Sequence, residues 1–190
     1  MHDEETRRAY PFLALMEEEV DAIRAEALAI DAALWKPMQG YQTGCNGYIL
    51  DSGRFSHEYT GTDYDANRAR CPAATALVAR IAGVELAGFL RVEPGGVMLP
   101  HTDPRDDHLV RAHLGLQLTD EEQAWWRPGT VRLMDTRLSH WARNLGDFPR
   151  VTMVVDVRMP FVVPDGAWGP WRPDDPAVMR PAGGTNVQLS

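Results

Sequence analysis

The sequence predicts a mainly β protein, an antiparallel sandwich or barrel with helices at its N-terminal end. The first observation is a series of strand-length runs after Gly83: "VELAGFLRV", "LVRAHLGLQL", "TVRLMD" and "RVTMVVDVRM". The second is the set of turn-rich segments between them, "EPGG", "HTDPRDD", "DEEQAWWRPG" and "ARNLGDFP". The third is that helical periodicity is missing after Gly83, which argues against parallel βαβ units.

Two helices are expected before these strands. Apolar residues recur at steps of three and four over residues 13–30, so one amphipathic helix is predicted to begin near Pro11. A second helix is predicted over residues 72–81, because Pro72 suits a first helical turn and Gly83 suits termination. Between them, residues 34–70 predict short strands, including "GYIL", within a long irregular loop.

Composition and charge restrict the classes of partner. The chain has 190 residues, a length that fits one domain. Its formal net charge of −8 would repel nucleic acid and anionic membranes, so a small-molecule substrate is expected. The sequence opens without a basic segment followed by an apolar one, and no apolar run reaches the ~18 residues of a spanning helix. A cytoplasmic location is therefore expected, with Cys45 and Cys71 as free thiols.

Two of the predicted strands carry polar side chains on one face. Arg111 and His113 share a face of "LVRAHLGLQL", and Arg150, Thr152 and Asp156 share a face of "RVTMVVDVRM". A single strand of this kind is usually half exposed, with its polar face in water. Two such strands favour polar faces that line the inside of a barrel and bind an anion, a task for which the arginine fork is suited.

A histidine and an aspartate at alternate positions suggest a metal site. His101 and Asp103 leave the same face of an extended segment, and a neighbouring antiparallel strand could bring His140 beside them. Two histidines and one carboxylate form the facial triad that holds Fe(II) and leaves coordination positions open. The spacing alone is a weak signal, because short His-x-Asp pairs are common by chance.

Four segments together resemble a known family. "EPGGVMLPHTDP", "VRAHLGLQL", "RPGTVRLMDTRLSHWARN" and "RVTMVVDVRMP" are similar to the catalytic core of the aspartyl/asparaginyl β-hydroxylases, to which bacterial proline hydroxylases are related. The resemblance covers about residues 84–160. It implies a double-stranded β-helix (jelly-roll, cupin-like) fold. One oxygenase domain is expected over 1–163, with an N-terminal helical part (1–83), a catalytic core (84–163) and a Pro/Gly-rich tail over 164–190.

The resemblance also implies roles for particular residues. By position it implies three iron ligands, His101, Asp103 and His140. Arg150 would bind the distal carboxylate of the cosubstrate 2-oxoglutarate, His113 would make a second contact to it, and Arg111 would meet either the cosubstrate or an acidic substrate. Vertebrate aspartyl hydroxylases have glycine at the position of Asp103, whereas free amino-acid hydroxylases keep the aspartate.

The activity implied is that of an Fe(II)- and 2-oxoglutarate-dependent dioxygenase. It would use O2 to hydroxylate an amino acid or amino-acid-like acid, free or within a peptide, and release succinate and CO2. The alternative is a non-oxidative cupin-type metal-binding or small-acid-binding protein, or an isomerase. Arg150 with His113 favours the oxygenase, because a metal-only site needs no anion-binding pair. Candidate substrate contacts, chosen by proximity, are Arg105, Trp141, Arg143 and the "AWW" segment at 124–126.

Overall fold

The computed structural model describes residues 4–38, 42–53, 59–103, 109–134, 136 and 139–158. The helices in this part of the chain are Glu4–Ala9 (α1), Phe12–Glu18 (α2), Val20–Ala29 (α3), Tyr64–Arg70 (α4), Pro72–Arg80 (α5) and Asp120–Gln123 (α6). The strands are Lys36–Pro37 (β1), Gln42–Asp51 (β2), Val84–His101 (β3), Leu109–Gln117 (β4), Val131–Met134 (β5), His140–Arg143 (β6) and Arg150–Arg158 (β7). The tail expected over 164–190 and the candidate contact Arg105 lie outside the described residues.

Strands β3 and β7 lie at the centre of an antiparallel sheet. The strand order is β1-β2-β3-β7-β4-β5, and β6 pairs with the C-terminal end of β3. Every pairing is antiparallel, as the sequence predicts. The fold is therefore of the predicted class, a jelly-roll with N-terminal helices. The strand expected around "GYIL" is also present, as part of the longer strand β2.

The expected break at "EPGG" is wrong, because β3 runs through it as one strand of 18 residues. The chain bends there instead of ending. Gly95 has φ 74°, a conformation that favours glycine, and the register of β3 against β2 shifts between Thr43 and Cys45. The first part of β3 pairs with β7, while the part after the bend pairs with β6. This bend brings the end of β3 to the strand that carries His140.

The helix predicted over 13–30 is divided in two. Its apolar stripe is buried as expected, with Leu13, Met16 and Ile23 each 0% exposed. Glu19, however, has φ −93° and ψ 6° and separates α2 from α3. Its carboxylate pairs with Arg80 of α5 at 3.0 Å, so the break faces another helix. The helix predicted over 72–81 is confirmed as α5.

Helix α4 falls in the segment expected to be a loop, so that expectation is wrong there. Asp63 caps the helix by accepting a hydrogen bond from the Ala66 N–H at 3.0 Å. Asp65 lies in the first turn, while Arg68 and Arg70 lie in the last turn. This charge arrangement complements the helix dipole and is the local signal that marks α4.

The two faces of the sheet have different surroundings. One face packs against the helices, and its core includes Leu13, Met16, Ile23, Leu77, Phe89, Met153 and Val155. The opposite face carries Arg111 and His113 on β4, and the register sets Arg111 directly across from Asp156 on β7. Arg150 is 2% exposed and Asp156 is 1% exposed. The polar faces of β4 and β7 therefore point into the protein. The alternative interpretation, in which these faces lie in water, is excluded.

Two further expectations are tested by the described residues. Cys45 and Cys71 are free thiols, as predicted, and the structure buries both of them. Within the described ranges, none of the helices has the length and apolar character needed to cross a lipid bilayer.

Candidate active site

The bend in β3 brings together the three residues predicted to bind metal. His101 ends β3, His140 begins β6, and the two are partners in the strand register, with ring centroids 4.1 Å apart. Asp103 follows the end of β3, and its N–H donates to the Thr136 carbonyl at 2.8 Å. The potential ligand atoms of His101, Asp103 and His140 all lie within 4.8 Å of one another. They therefore form one cluster from two strands and a connecting segment.

The geometry of this cluster suits a divalent metal. His101 Nδ1 lies 2.8 Å from the Leu99 carbonyl oxygen, which favours the tautomer in which Nδ1–H donates and Nε2 keeps its lone pair. His101 Nε2 lies 3.6 Å from Asp103 Oδ1. Two ligands on one metal, each at ~2.1 Å, lie at most about 4.2 Å apart, and the distance between His101 and Asp103 meets this limit. Two imidazoles and a carboxylate form the donor set of a non-haem Fe(II) site, so the residues present fit this metal.

Arg111 lies between two buried carboxylates. Its Nε and Nη2 donate to the two oxygens of Asp156 at 2.7 and 2.8 Å, and its Nη1 donates to Asp103 Oδ2 at 2.6 Å. Burial alone would lower the pKa of Arg111, but Asp156 and then Asp103 raise it above its usual value, so the guanidinium stays charged. Arg111, which the resemblance assigns to the cosubstrate or an acidic substrate, thus directs all three of its nitrogens to protein carboxylates.

Arg150 occupies a second buried ion pair at the start of β7. Its Nε donates to Glu122 Oε1 at 2.8 Å, and its guanidinium lies 5.6 Å from the centre of the Trp126 ring. Glu122 is itself fixed, because it forms a capping box with Thr119 at the start of α6. Arg150 Nη2 is buried without a hydrogen-bond partner in the described part of the chain. The arginine is therefore oriented from one side and retains a free donor.

Other polar atoms on the same face of the sheet are also unpartnered. Both ring nitrogens of His113 and the Oγ1 of Thr152 are buried and make no hydrogen bond within the described ranges. Thr152 pairs with Gly115, the next residue on that face of β4 after His113. Each unsatisfied buried group costs about 1–3 kcal/mol. Together with Arg150 Nη2, these atoms indicate the place of a polar ligand.

His113 is uncharged in this environment. Burial lowers its pKa well below the ordinary value of 6.5, and the charges of Arg150, Arg111 and His140 lower it further. A neutral imidazole offers one donor and one acceptor. It can therefore contact a carboxylate without adding a positive charge beside the metal position.

Sequence reasoning missed two contributors to the site. Glu122 was not a candidate, although Thr119 and Glu122 have the spacing of a capping box. The alternation along β7 puts Asp156 on the polar face. Its contact with Arg111 could not be predicted, because the two residues are 45 apart in the chain. Of the candidate substrate contacts, Trp126 is 0% exposed beneath Arg150. Arg143 lies over the Trp141 ring at 5.5 Å and pairs with Glu121 at 2.9 Å.

Comparisons with known proteins identify the family of the chain. The family model described as aspartyl/asparaginyl β-hydroxylase matches residues 17–160. Among solved structures, the chain is similar to a Pseudomonas putida prolyl-4-hydroxylase, with a TM-score of 0.42 and 17% identity over 74% of this chain and 86% of that one. It is also similar to HygX from Streptomyces hygroscopicus with nickel and 2-oxoglutarate bound, with a TM-score of 0.45 and 14% identity over 76% and 80% of the two chains. No curated protein matches the sequence significantly.

Proposed function

The chain belongs to the aspartyl/asparaginyl β-hydroxylase family, and from this premise we propose that His101, Asp103 and His140 hold the iron of a 2-oxoglutarate-dependent hydroxylase. The enzyme class, an Fe(II)- and 2-oxoglutarate-dependent dioxygenase, follows from the family. The observation that supports these three ligands is their cluster, with all potential ligand atoms within 4.8 Å, beside a buried face with unpartnered donors. A metal at this position would keep open sites for cosubstrate and oxygen.

Arg150, His113 and Thr152 are the proposed contacts of 2-oxoglutarate. Arg150 Nη2 is a buried, charged donor on this face with no hydrogen-bond partner in the described part of the chain, so it would bind the distal carboxylate. A dicarboxylate that enters a buried site loses its hydration and needs replacement hydrogen bonds at both ends. The His113 ring and the Thr152 hydroxyl are available for those bonds.

Bound iron and 2-oxoglutarate together supply the oxidation: 2-oxoglutarate is converted to succinate and CO2, and one oxygen atom of O2 enters a C–H bond of the substrate. The side chains of this protein hold and orient the reactants. Arg150 is kept in place by Glu122, and His113 stays neutral, so it does not repel a cation. The substrate class, an amino acid or amino-acid-like acid, is proposed from the family alone.

Metal binding is tested by anaerobic titration calorimetry of the apo protein with Mn(II), a redox-stable substitute for Fe(II). The wild type should bind one ion, and His101→Ala and His140→Ala should lose the signal because each removes a ligand. Asp103→Asn should weaken Mn(II) binding because it removes the carboxylate ligand, and Asp147→Asn, which removes an exposed carboxylate after β6, is its matched control. A wild-type signal in His101→Ala would place the metal elsewhere.

Activity is tested by succinate release with Fe(II), ascorbate, O2 and 2-oxoglutarate over a panel of amino acids and short peptides. Release that one member of the panel stimulates, and that His140→Ala abolishes, would support the proposed substrate class. Metal binding without oxygen-dependent succinate release across the whole panel would favour the non-oxidative alternative.

A further inference from the structure

Asp103 needs support that its own backbone does not provide. It lies outside any strand, two residues beyond the last residue of β3, and its N–H donates to the Thr136 carbonyl. Its two carboxylate oxygens have different surroundings. Oδ2 accepts a hydrogen bond from Arg111 Nη1 at 2.6 Å, while Oδ1 lies 3.6 Å from His101 Nε2. Oδ1 is therefore the oxygen beside His101 Nε2, and Oδ2 is the oxygen that Arg111 holds.

Arg111 is fixed in turn by Asp156. The two residues are direct partners on neighbouring strands β4 and β7, and the carboxylate accepts from Nε and Nη2 at 2.7 and 2.8 Å. The side chains are 11% and 2% exposed, so water does not compete for these hydrogen bonds. A bidentate arginine–carboxylate pair fixes the plane of the guanidinium, which determines where Nη1 points.

We propose that Asp156 and Arg111 are positioning residues for the metal ligand Asp103. Asp156 holds the plane of Arg111, and Arg111 Nη1 holds Asp103 Oδ2 away from the metal, so Asp103 binds through Oδ1 alone. The inference rests on the proposed function, in which Asp103 is an iron ligand. It gives Arg111 a task different from the contact to cosubstrate or acidic substrate that the resemblance implies.

The deciding variant is the double substitution Arg111→Gln with Asp156→Asn. It removes one positive and one negative charge, so the net charge near the metal is unchanged. Of the two, Arg111 is the group that contacts Asp103, so any remaining Coulomb effect would strengthen Mn(II) binding, which is opposite to the expected change. It also avoids leaving the carboxylate of Asp156 buried without its partner. The readouts are the Mn(II) affinity of the apo protein and the 2-oxoglutarate affinity at saturating Mn(II), both measured anaerobically by calorimetry.

The double variant should bind Mn(II) about ten- to a hundredfold more weakly, the usual effect of removing a partner that orients a metal ligand. Its 2-oxoglutarate affinity at saturating Mn(II) should stay within about threefold of wild type, because Arg150 is retained. The Co(II)-loaded double variant should also show an altered visible absorption spectrum, because the ligand geometry has changed. If the pair had a purely structural role, its removal would lower the melting temperature but would not weaken Mn(II) binding selectively over 2-oxoglutarate binding.

The matched control is Arg158→Gln with Glu85→Gln, which removes another arginine–carboxylate pair, 2.6 Å long, between β7 and β3. It should leave Mn(II) affinity at the wild-type value. If the Arg111/Asp156 double variant does not unfold cooperatively, Arg111→Lys decides the question. Lysine keeps the charge but cannot bind Asp156 bidentately and contact Asp103 as well, so Mn(II) affinity should again fall.

Two results would overturn the inference. One is wild-type Mn(II) affinity in a folded variant that lacks the pair. The other is weakened 2-oxoglutarate binding with unchanged Mn(II) affinity, which would indicate that Arg111 contacts the cosubstrate. Failure of the proposed metal site itself is distinguishable, because in that case His101→Ala would also keep wild-type Mn(II) binding.

Discussion

Replacing Arg150 with lysine is the sharpest test of the cosubstrate site, because it keeps the positive charge and removes the planar fork. In the structure Arg150 has separate donors for two tasks: Nε binds Glu122 at 2.8 Å, and Nη2 is available to a ligand. A lysine ammonium is a compact point charge on a flexible stem. At this position it must either stay with Glu122 or turn to the cosubstrate carboxylate.

The expected magnitude follows from the hydrogen bonds that are lost. A hydrogen bond to a charged group contributes about 1.5–3 kcal/mol, and about 1.4 kcal/mol corresponds to tenfold in affinity. Arg150→Lys should therefore weaken 2-oxoglutarate binding roughly ten- to a hundredfold. Mn(II) affinity should hardly change, because the hydrogen bonds and ring contact found for Arg150 involve Glu122 and Trp126, not the metal ligands.

The assay is oxygen-free calorimetry of 2-oxoglutarate binding to the Mn(II)-loaded protein, followed by turnover measured against 2-oxoglutarate concentration. Arg158→Lys is the control, because it makes the same change on the same strand at a half-exposed side chain, 37% accessible. Identical 2-oxoglutarate affinities in wild type and Arg150→Lys would refute the assignment and move the cosubstrate to another part of the protein.

Three further predictions concern stability and reactivity. The pKa of His113 is lowered in the folded protein, so below pH about 6.5 the unfolded chain protonates this imidazole while the folded protein does not. The free energy of unfolding should therefore decrease by up to about 1.4 kcal/mol for each unit by which the pH falls. Denaturation of wild type and His113→Gln at pH 7 and pH 5 checks this, and parallel pH profiles would contradict it. Glu26 accepts the N–H groups of Ala73 and Ala74 at the start of α5, at 2.6 and 3.0 Å, so Glu26→Gln should cost roughly 1–2 kcal/mol in urea unfolding; an unchanged midpoint would exclude this capping role. Burial raises the pKa of Cys71 to about 12 and also raises that of Cys45, so iodoacetamide should alkylate neither thiol until the protein unfolds; rapid labelling of native protein, detected by mass spectrometry, would show that one is accessible.

The parts of the fold that could be predicted from the sequence depend on short-range patterns. Alternation along β4 and β7 places Arg111 and Arg150 on the buried polar face without knowledge of strand order. The bend at Gly95 could not be predicted in this way, because proline and glycine mark a turn between strands and a bend within one strand equally well. The division of the first helix at Glu19 has no counterpart in the apolar stripe, which continues across it.

In the candidate site, too, the sequence predicts only what depends on short-range patterns. His101 and Asp103 are close in sequence, so their shared face is visible from spacing, and a neighbouring antiparallel strand is expected to bring His140 beside them. The contacts that orient these residues join distant segments. Glu122 meets Arg150 across 28 residues and Asp156 meets Arg111 across 45, so each depends on how the strands and the loop before β5 pack together. No local pattern contains that information.

The charges around the site indicate why metal and cosubstrate belong together. Arg111 is shared between Asp103 and Asp156, and Arg150 is partly neutralised by Glu122, so these two arginines face three carboxylates. These five side chains carry one more negative than positive charge, and Arg132, the buried strand partner of His113, offsets that difference, so the side chains alone supply no net positive charge for a dicarboxylate. A divalent cation held by His101, Asp103 and His140 would supply the positive charge that a dianion requires. Because Arg111 is already paired with Asp103 and Asp156, we expect 2-oxoglutarate to bind more weakly when the metal is absent, and calorimetry of 2-oxoglutarate with and without Mn(II) measures this difference.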